Sequence, residues 1–413
     1  MKSVIRRGAL ALAIALWSSA SHAAEIQWPS FLWNDPGLAP ALKDLKTTFE
    51  QENPQDHINN VLIPVSTFWD KQFADVRSGN PADIGTFYDP DVRAYIEQGL
   101  LEPLDGYLSA AGIDRTSFVP TASLGQKDGH VYAIPVVVNA RALFYNEKLF
   151  RDAGVQPPKD ADTFLQAAKA LRRPQVQQFG FATASKPGNA NLMFIEVSPL
   201  MVGFGGGFFK EGRPNANAPE TIAALRLYKE LFDQNLIPRG VETGSYRDMF
   251  AHGKIGMYAS GAFMAGVVEA ADKDVYKDLR AMPLPFPGGQ TMSITVFLGI
   301  PKGAKNKDAA AAVLMRLLKD DFQLKIAQIG KAHPGRVNML PDTFFDQNPW
   351  FKAFQQATLT ARSYAPEGAE QYGPEIIKVV SEGLEAMLFQ GVSPEETAND
   401  LQQKLTEFIA TKK

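Results

Sequence analysis
The chain has 413 residues, 45% of them hydrophobic and 21% charged, with no cysteine and a formal net charge of −3. That length leaves room for two or three domains. The missing cysteine excludes disulfides, thiolate metal sites and a cysteine nucleophile, and the acidic balance argues against nucleic acid as a partner.

The first 23 residues read as a secretory signal. Lys2, Arg6 and Arg7 form a basic start, 9–17 an apolar run, and Ser21-His22-Ala23 a small-residue cleavage site. The apolar run is too short to span a bilayer. No cysteine stands at the cleavage point, so no lipid anchor is expected. The expected product is a free periplasmic protein, exported by the general secretory or the twin-arginine route. Removing Lys2, Arg6 and Arg7 lowers Lys+Arg from 42 to 39 against 45 Asp+Glu, a net charge of −6.

Residues 25–31 read as a first strand, and Leu38, Leu42, Leu45 and Phe49 recur at helical spacing behind it. Residues 58–64 are strand-like and 68–76 helical; 83–87 is a short apolar run before a helix to Glu97. Asp128-Gly129 signals a turn, and 131–134 and 136–138 are β-branched runs interrupted by Pro135, where the strand should bend or lie at an edge. A second extended run follows, with a helix from Asn146. Asp160 can cap a helix to Leu171, 180–183 is strand-like, and Ile222, Leu225, Tyr228 and Phe232 make one helical stripe. Further strands are expected at 255–259 and 294–301. The tail is helical over 374–390, then restarts at Ser393-Pro394-Glu395-Glu396, a capping box with proline at the first helical position. Strands alternating with helices predict an α/β fold with a mostly parallel sheet.

Several blocks, in order, resemble bacterial extracellular solute-binding proteins of the maltose-binding-like family. They are Ser78-Gly79-Asn80-Pro81-Ala82-Asp83, Gly99-Leu100-Leu101-Glu102-Pro103-Leu104-Asp105 and Gly129-His130-Val131-Tyr132-Ala133-Ile134-Pro135 with Tyr145-Asn146. Phe250-Ala251-His252-Gly253-Lys254, Pro301-Lys302-Gly303-Ala304-Lys305-Asn306 and Gly391-Val392-Ser393-Pro394-Glu395 continue the series. The chain departs from the family at Asp160-Ala161, at Ile294-Thr295-Val296 and at Phe263, which stands where the family often has Trp. The resemblance implies a type II, two-lobed periplasmic binding fold with a hinge of crossover segments near 135–139, 285–293 and 336–341. Lobe one would be 24–135 and 292–337, lobe two 136–291 and 338–413. It further implies the sugar-binding component of an ABC importer: a monomer that meets permease subunits and needs no cofactor or metal.

Sugar recognition calls for flat aromatic surfaces and fixed polar groups. Ligand-facing loops follow the carboxyl ends of strands in open α/β sheets. That rule selects Trp33 and Asn34, Trp69, and Phe87 with Tyr88. The ordinary alternatives are a surface turn for Trp33-Asn34 and packing of its own helix for Trp69. The resemblance makes Phe87 or Tyr88 a stacking position and adds Asn139 with Arg141, Phe263, Arg336 and Tyr364. Gly203 to Gly207 does not match a phosphate-binding loop and reads as a close-packed helix end.

No catalytic residue is nominated. His57, His130, His252 and His333 are dispersed, and no zinc-protease, serine-hydrolase or P-loop motif occurs. Carboxylates are plentiful, so a carbohydrate hydrolase with paired acids remains the rival class. An organic anion such as glycerol phosphate is the rival ligand, favoured if Arg141 and Arg336 act together. N-terminal sequencing of protein from the periplasm should begin at Ala24; Met1 or a lipidated residue there would refute the signal assignment.

Overall fold
The computed structural model describes residues 23–35 and 37–412. The signal segment therefore lies outside the described residues, apart from Ala23. The strands that frame the molecule are β1 (Glu25–Gln27), β2 (His57–Asn59), β3 (Gly85–Phe87), β4 (Ala133–Ala140), β5 (Ala142–Asn146), β6 (Phe179–Ala182), β7 (Ile255–Ser260), β8 (Leu279–Met282), β9 (Thr291–Gly299), β10 (His333–Pro334) and β11 (Ala361–Ser363). The helices used below are α1 (Ala39–Glu52), α2 (Val65–Arg77), α3 (Asp89–Glu97), α4 (Ala161–Leu171), α5 (Ala190–Gly203), α6 (Thr243–Ala251), α7 (Met264–Ala271) and α8 (Phe351–Thr360).

The first sheet has the order β10-β4-β9-β11, with β3 on the far end of β9. The β1–β2 parallel pair joins its edge, because Gln27 O accepts from the N–H groups of Asp83 and Ile84. The second sheet has the order β8-β5-β7-β6. There β7 is parallel to β6 but antiparallel to β5, so the alternation gives a mixed sheet and not a mostly parallel one. One buried cluster, with Trp28, Leu42, Phe49 and Ile134, covers the first sheet and continues onto one side of the second through Phe144, Ile255 and Tyr258; the other, with Phe164, Phe181, Leu225 and Ile376, packs against the second sheet.

Local chemistry sets most element ends where the sequence places them. Asp160 and Thr163 form a reciprocal capping box at α4, as do Ser393 and Glu396 at the last helix. Asp128 and Gly129 both take positive φ, 51° and 82°, in the two-residue hairpin between Lys127 and His130. The strand over 25–31 is shorter than expected. Ser30 Oγ accepts from Leu32 N at 3.1 Å and turns the chain into a 3-10 helix, Phe31–Asn34. β4 runs on through Pro135 but is irregular there, as expected: its register against β9 shifts between Val296 and Phe297, opposite the proline that has no N–H to donate, and β10 pairs only with Val137 and Val138. The glycine run after α5 is a close-packed turn: a Cβ on Gly206 would stand 2.7 Å from Thr221 N.

The passage between sheets is short. A single residue, Arg141, separates β4 in the first sheet from β5 in the second. The return strand β9 lies beside it, since Arg141 N donates to Met292 O at 2.9 Å and Thr291 Oγ1 donates to Arg141 O at 2.7 Å. Along β9, Val296 belongs to the first core while Ile294 packs against the second. Along the third passage, Ala361 belongs to the first and Tyr364 to the second. Helix α8 braces these joins, with Phe354 against Phe144 of β5 at 4.9 Å and Phe351 stacked on His333 of β10.

Phe87, expected at a ligand, is instead fully buried. It ends β3 opposite Phe297 and meets the Tyr95 ring at 4.8 Å, in a cluster with Val76, Val92 and Ile96. Alternation along the strand turns it inward. Phe87→Ala should cost about 3–5 kcal/mol of stability, measurable by urea denaturation. A variant as stable as the parent would place the ring outside the core.

Candidate ligand-binding cleft
The first wall is aromatic. Phe31, Trp69 and Tyr88 are half-buried and mutually in contact, with ring centroids 5.5 Å apart for Phe31–Trp69, 5.0 Å for Trp69–Tyr88 and 5.7 Å for Phe31–Tyr88. They come from three places that follow strand ends: the 3-10 turn after β1, helix α2 after β2, and the residue after β3. Phe31 escaped the sequence reading because it was placed inside the strand. Trp33, two residues on, is a core residue: it is 5% exposed, and its Nε1 donates to Trp28 O at 2.8 Å. Its indole thus offers no open face, while Asn34 beside it is exposed.

The second wall is charged. Arg247 of α6 pairs with Glu196 of α5 at 2.9 Å, and Tyr258 of β7 donates to the other carboxylate oxygen at 2.9 Å. Arg247 Nε also donates to Tyr258 Oη at 3.1 Å, and its guanidinium lies 5.5 Å from the centre of the half-buried Phe263 ring. Glu196 is buried, yet both oxygens are satisfied. Sequence reasoning missed Glu196 and Arg247; the lone acid inside the apolar run Asn191-Leu192-Met193-Phe194-Ile195-Glu196-Val197 was the available signal.

At the crossover, buried polar groups lack protein partners. Arg141 Nη1, Ser260 Oγ and Ser293 Oγ are three of them. Ser293 lies opposite Ala140 and Ser260 opposite Ala142, so strand alternation sends both serine side chains to the face opposite that of Arg141. Asn139, half-buried, stands opposite Ile294 on the same ladder.

Asp89 fastens the first lobe to these joins. Its Oδ1 accepts from Thr295 N and its Oδ2 from Ser363 Oγ, both at 2.7 Å. Burial pushes its carboxyl up to about 7 against those two hydrogen bonds, and pushes neighbouring Asp91 up to about 6. Burial and the carboxylates of Asp35, Asp91 and Asp89 raise the Tyr88 hydroxyl.

Two further expected residues lie elsewhere. Arg336 is spent on lobe-one structure: Nε donates to Ser117 Oγ at 2.9 Å, and Nη1 to Leu318 O at 2.7 Å and Asp320 Oδ1 at 2.8 Å. Tyr364 is buried and lines a cavity of about 350 Å³ with Thr121, Leu124, Phe194, Ser198 and Met201. None of Trp69, Tyr88, Arg141, Ser260 or Phe263 lines that cavity. It is therefore a separate space from those residues. Among the described residues, no group of His, Asp and Glu is arranged to hold a metal ion, and no helix is long and apolar enough to cross a membrane.

The sequence pattern of the family described as bacterial extracellular solute-binding protein matches residues 35–323. A binding protein of Brucella abortus (strain 2308) is 26% identical over 402 residues, 95% of each chain. The GacH receptor of Streptomyces glaucescens, solved unliganded and with acarbose, superposes with a TM-score of 0.80 at 20% identity, over 94% of this chain and 99% of that one. A solute-binding protein from Agrobacterium radiobacter K84 in complex with ribitol gives 0.79 at 21% identity over the same shares. The architecture is thus the two-lobed α/β fold of such proteins.

A carboxyl whose pKa is raised on folding adds stability below its unfolded value near 3.9 and loses it as pH rises through the folded value. Asp89 should therefore make the native state less stable between about pH 4 and pH 7. Melting curves of the parent and Asp89→Asn should show the difference moving in the variant's favour from pH 5 to pH 8. A difference independent of pH would mean that Asp89 is ionised throughout.

Proposed function
This chain belongs to the bacterial extracellular solute-binding proteins, and from that premise we propose that it captures a sugar or polyol between its lobes and delivers it to the permease of an ABC importer. It makes no covalent change and acts as a monomer in the periplasm. We take the lobes to divide at 140–142, 291–295 and 361–364 instead of near 135–139, 285–293 and 336–341, so that 136–140 and 338–360 go with 24–135 and 292–337, and the rest of 136–291 and 338–413 forms the other lobe. The observation that carries this reading is the group of buried, unpartnered polar side chains at Arg141, Ser260 and Ser293. Each such group costs about 1–3 kcal/mol while unpaired, and a ligand rich in oxygen supplies the partners.

The remaining residues fit the same use. Tyr88, Trp69 and Phe31 offer ring faces to sugar C–H groups on one wall and Phe263 on the other. Asn139, Glu196 and Arg247 offer fixed donors and acceptors for hydroxyls. Glu196 is held as an ion pair by Arg247, which suits an acceptor better than a general acid, whose carboxyl must stay protonated. Signal cleavage before Ala24 has local support as well: Ala24 N donates to Asp56 Oδ1 at 3.2 Å, so a freed ammonium would face a carboxylate.

A ligand that touches both walls binds the closed arrangement better and shifts the population toward it. A thermal-shift panel of sugars and polyols should reveal a stabiliser, worth about 2.7 kcal/mol at a hundredfold excess over Kd. With that compound the radius of gyration from small-angle scattering should fall, and Phe263→Ala should weaken binding several-fold. Turnover of a glycoside in the panel would favour the hydrolase. Binding with an unchanged radius would confine the site to one lobe.

A further inference from the structure
Arg141 stands apart from every other charged group on the cleft walls. It is 3% exposed, and its guanidinium enters no hydrogen bond or ion pair with a described residue, leaving Nη1 sealed from solvent without a partner. The groups that act on it are Glu196, Tyr258, Arg247 and Tyr246. Glu196 is the one carboxylate among them, and Arg247 and Tyr258 already occupy both its oxygens. The pocket thus sets two guanidinium groups against one carboxylate. Burial lowers the Arg141 pKa, but a guanidinium does not give up its proton in a protein. A buried charge without a counter-charge is among the costliest arrangements a fold can hold. Nη1 packs over Gly261, where a Cβ would come within 2.9 Å of it, so the guanidinium depends on a glycine there. Arg336, the other arginine named from sequence, is consumed by Asp320, Leu318 and Ser117 and leaves Arg141 to act alone.

We propose that the solute carries an anionic oxygen group, as in a sugar acid or a sugar or polyol phosphate, and that Arg141 receives it. The inference rests on the solute-binding reading and narrows its ligand class: a neutral polyol would fill the hydroxyl-binding positions and leave the guanidinium uncompensated. A planar fork of donors suits the two oxygens of a carboxylate or phosphate.

The test is calorimetric titration of the mature protein with matched pairs: glucose and glucuronate, galactose and galacturonate, glycerol and sn-glycerol 3-phosphate. The expected result is at least tenfold tighter binding of one acidic member than of its neutral partner. The carboxylate and phosphate arms identify which oxyanion is used. Arg141→Gln should abolish that preference. Melting of the ligand-free variant gives a second readout: removing an uncompensated buried charge should leave the melting temperature unchanged or raised. Equal or tighter binding of the neutral members overturns the proposal while the solute-binding reading stands. No binding by any member overturns both. A melting temperature several degrees lower in the variant would show that Arg141 serves the fold instead.

Discussion
Two antiparallel strands, Ala133–Ala140 and Thr291–Gly299, carry the chain between the two sheets, and the rest of the molecule is arranged around that ladder. Seven residue pairs, from Ser293–Ala140 to Gly299–Ala133, hold it in one register, with the bulge opposite Pro135 as its only irregularity. Beside that ladder the chain changes sheets at two places. Those places are Arg141 and the start of β9, joined by Arg141 N to Met292 O. Asp89 reaches the same region from the first lobe and binds β9 and β11 together through Thr295 and Ser363. Two 2.7 Å hydrogen bonds between one side chain and two different strands make a firm fixed point at that join.

The handover also explains why buried polar groups go unpaired there. Within a sheet, each side chain meets neighbours on adjacent strands. Where β4 leaves one sheet and β5 enters the other, those neighbours diverge. Arg141, Ser260 and Ser293 are left buried there without hydrogen-bond partners. Glu196 shows the contrasting outcome. It is as deeply buried, but three helices and strands bring Arg247 and Tyr258 to it, so its charge is balanced inside the second lobe.

Aromatic residues divide by the same geometric rule. Phe87 and Tyr88 are adjacent, and strand alternation sends the first into the lobe-one core and the second to the cluster with Phe31 and Trp69. Trp33 follows Phe31 by two residues but packs edge-on against Trp28, 4.8 Å away, because the 3-10 turn rotates it beneath the sheet end. Which ring near a strand end joins that half-buried cluster and which enters the core depends on one residue of register.

The amino-acid sequence by itself determined the features whose causes are local. Asp160 and Ser393 cap their helices, Asp128-Gly129 turns the hairpin, and the strand–helix alternation with its ordered motif blocks specifies two α/β lobes. These depend on residues within a few positions of one another. Tertiary structure decided what each candidate side chain touches. Arg141 and Arg336 are indistinguishable as residues near crossovers, yet one is left without a partner and the other meets Asp320, Leu318 and Ser117. Ser117 is 219 positions away from Arg336, Glu196 is 51 from Arg247, and Ser363 is 274 from Asp89. Encounters over such separations follow from how sheets pair and cores pack. Side-chain periodicity records which face is buried, but carries no information about which distant residue will lie opposite.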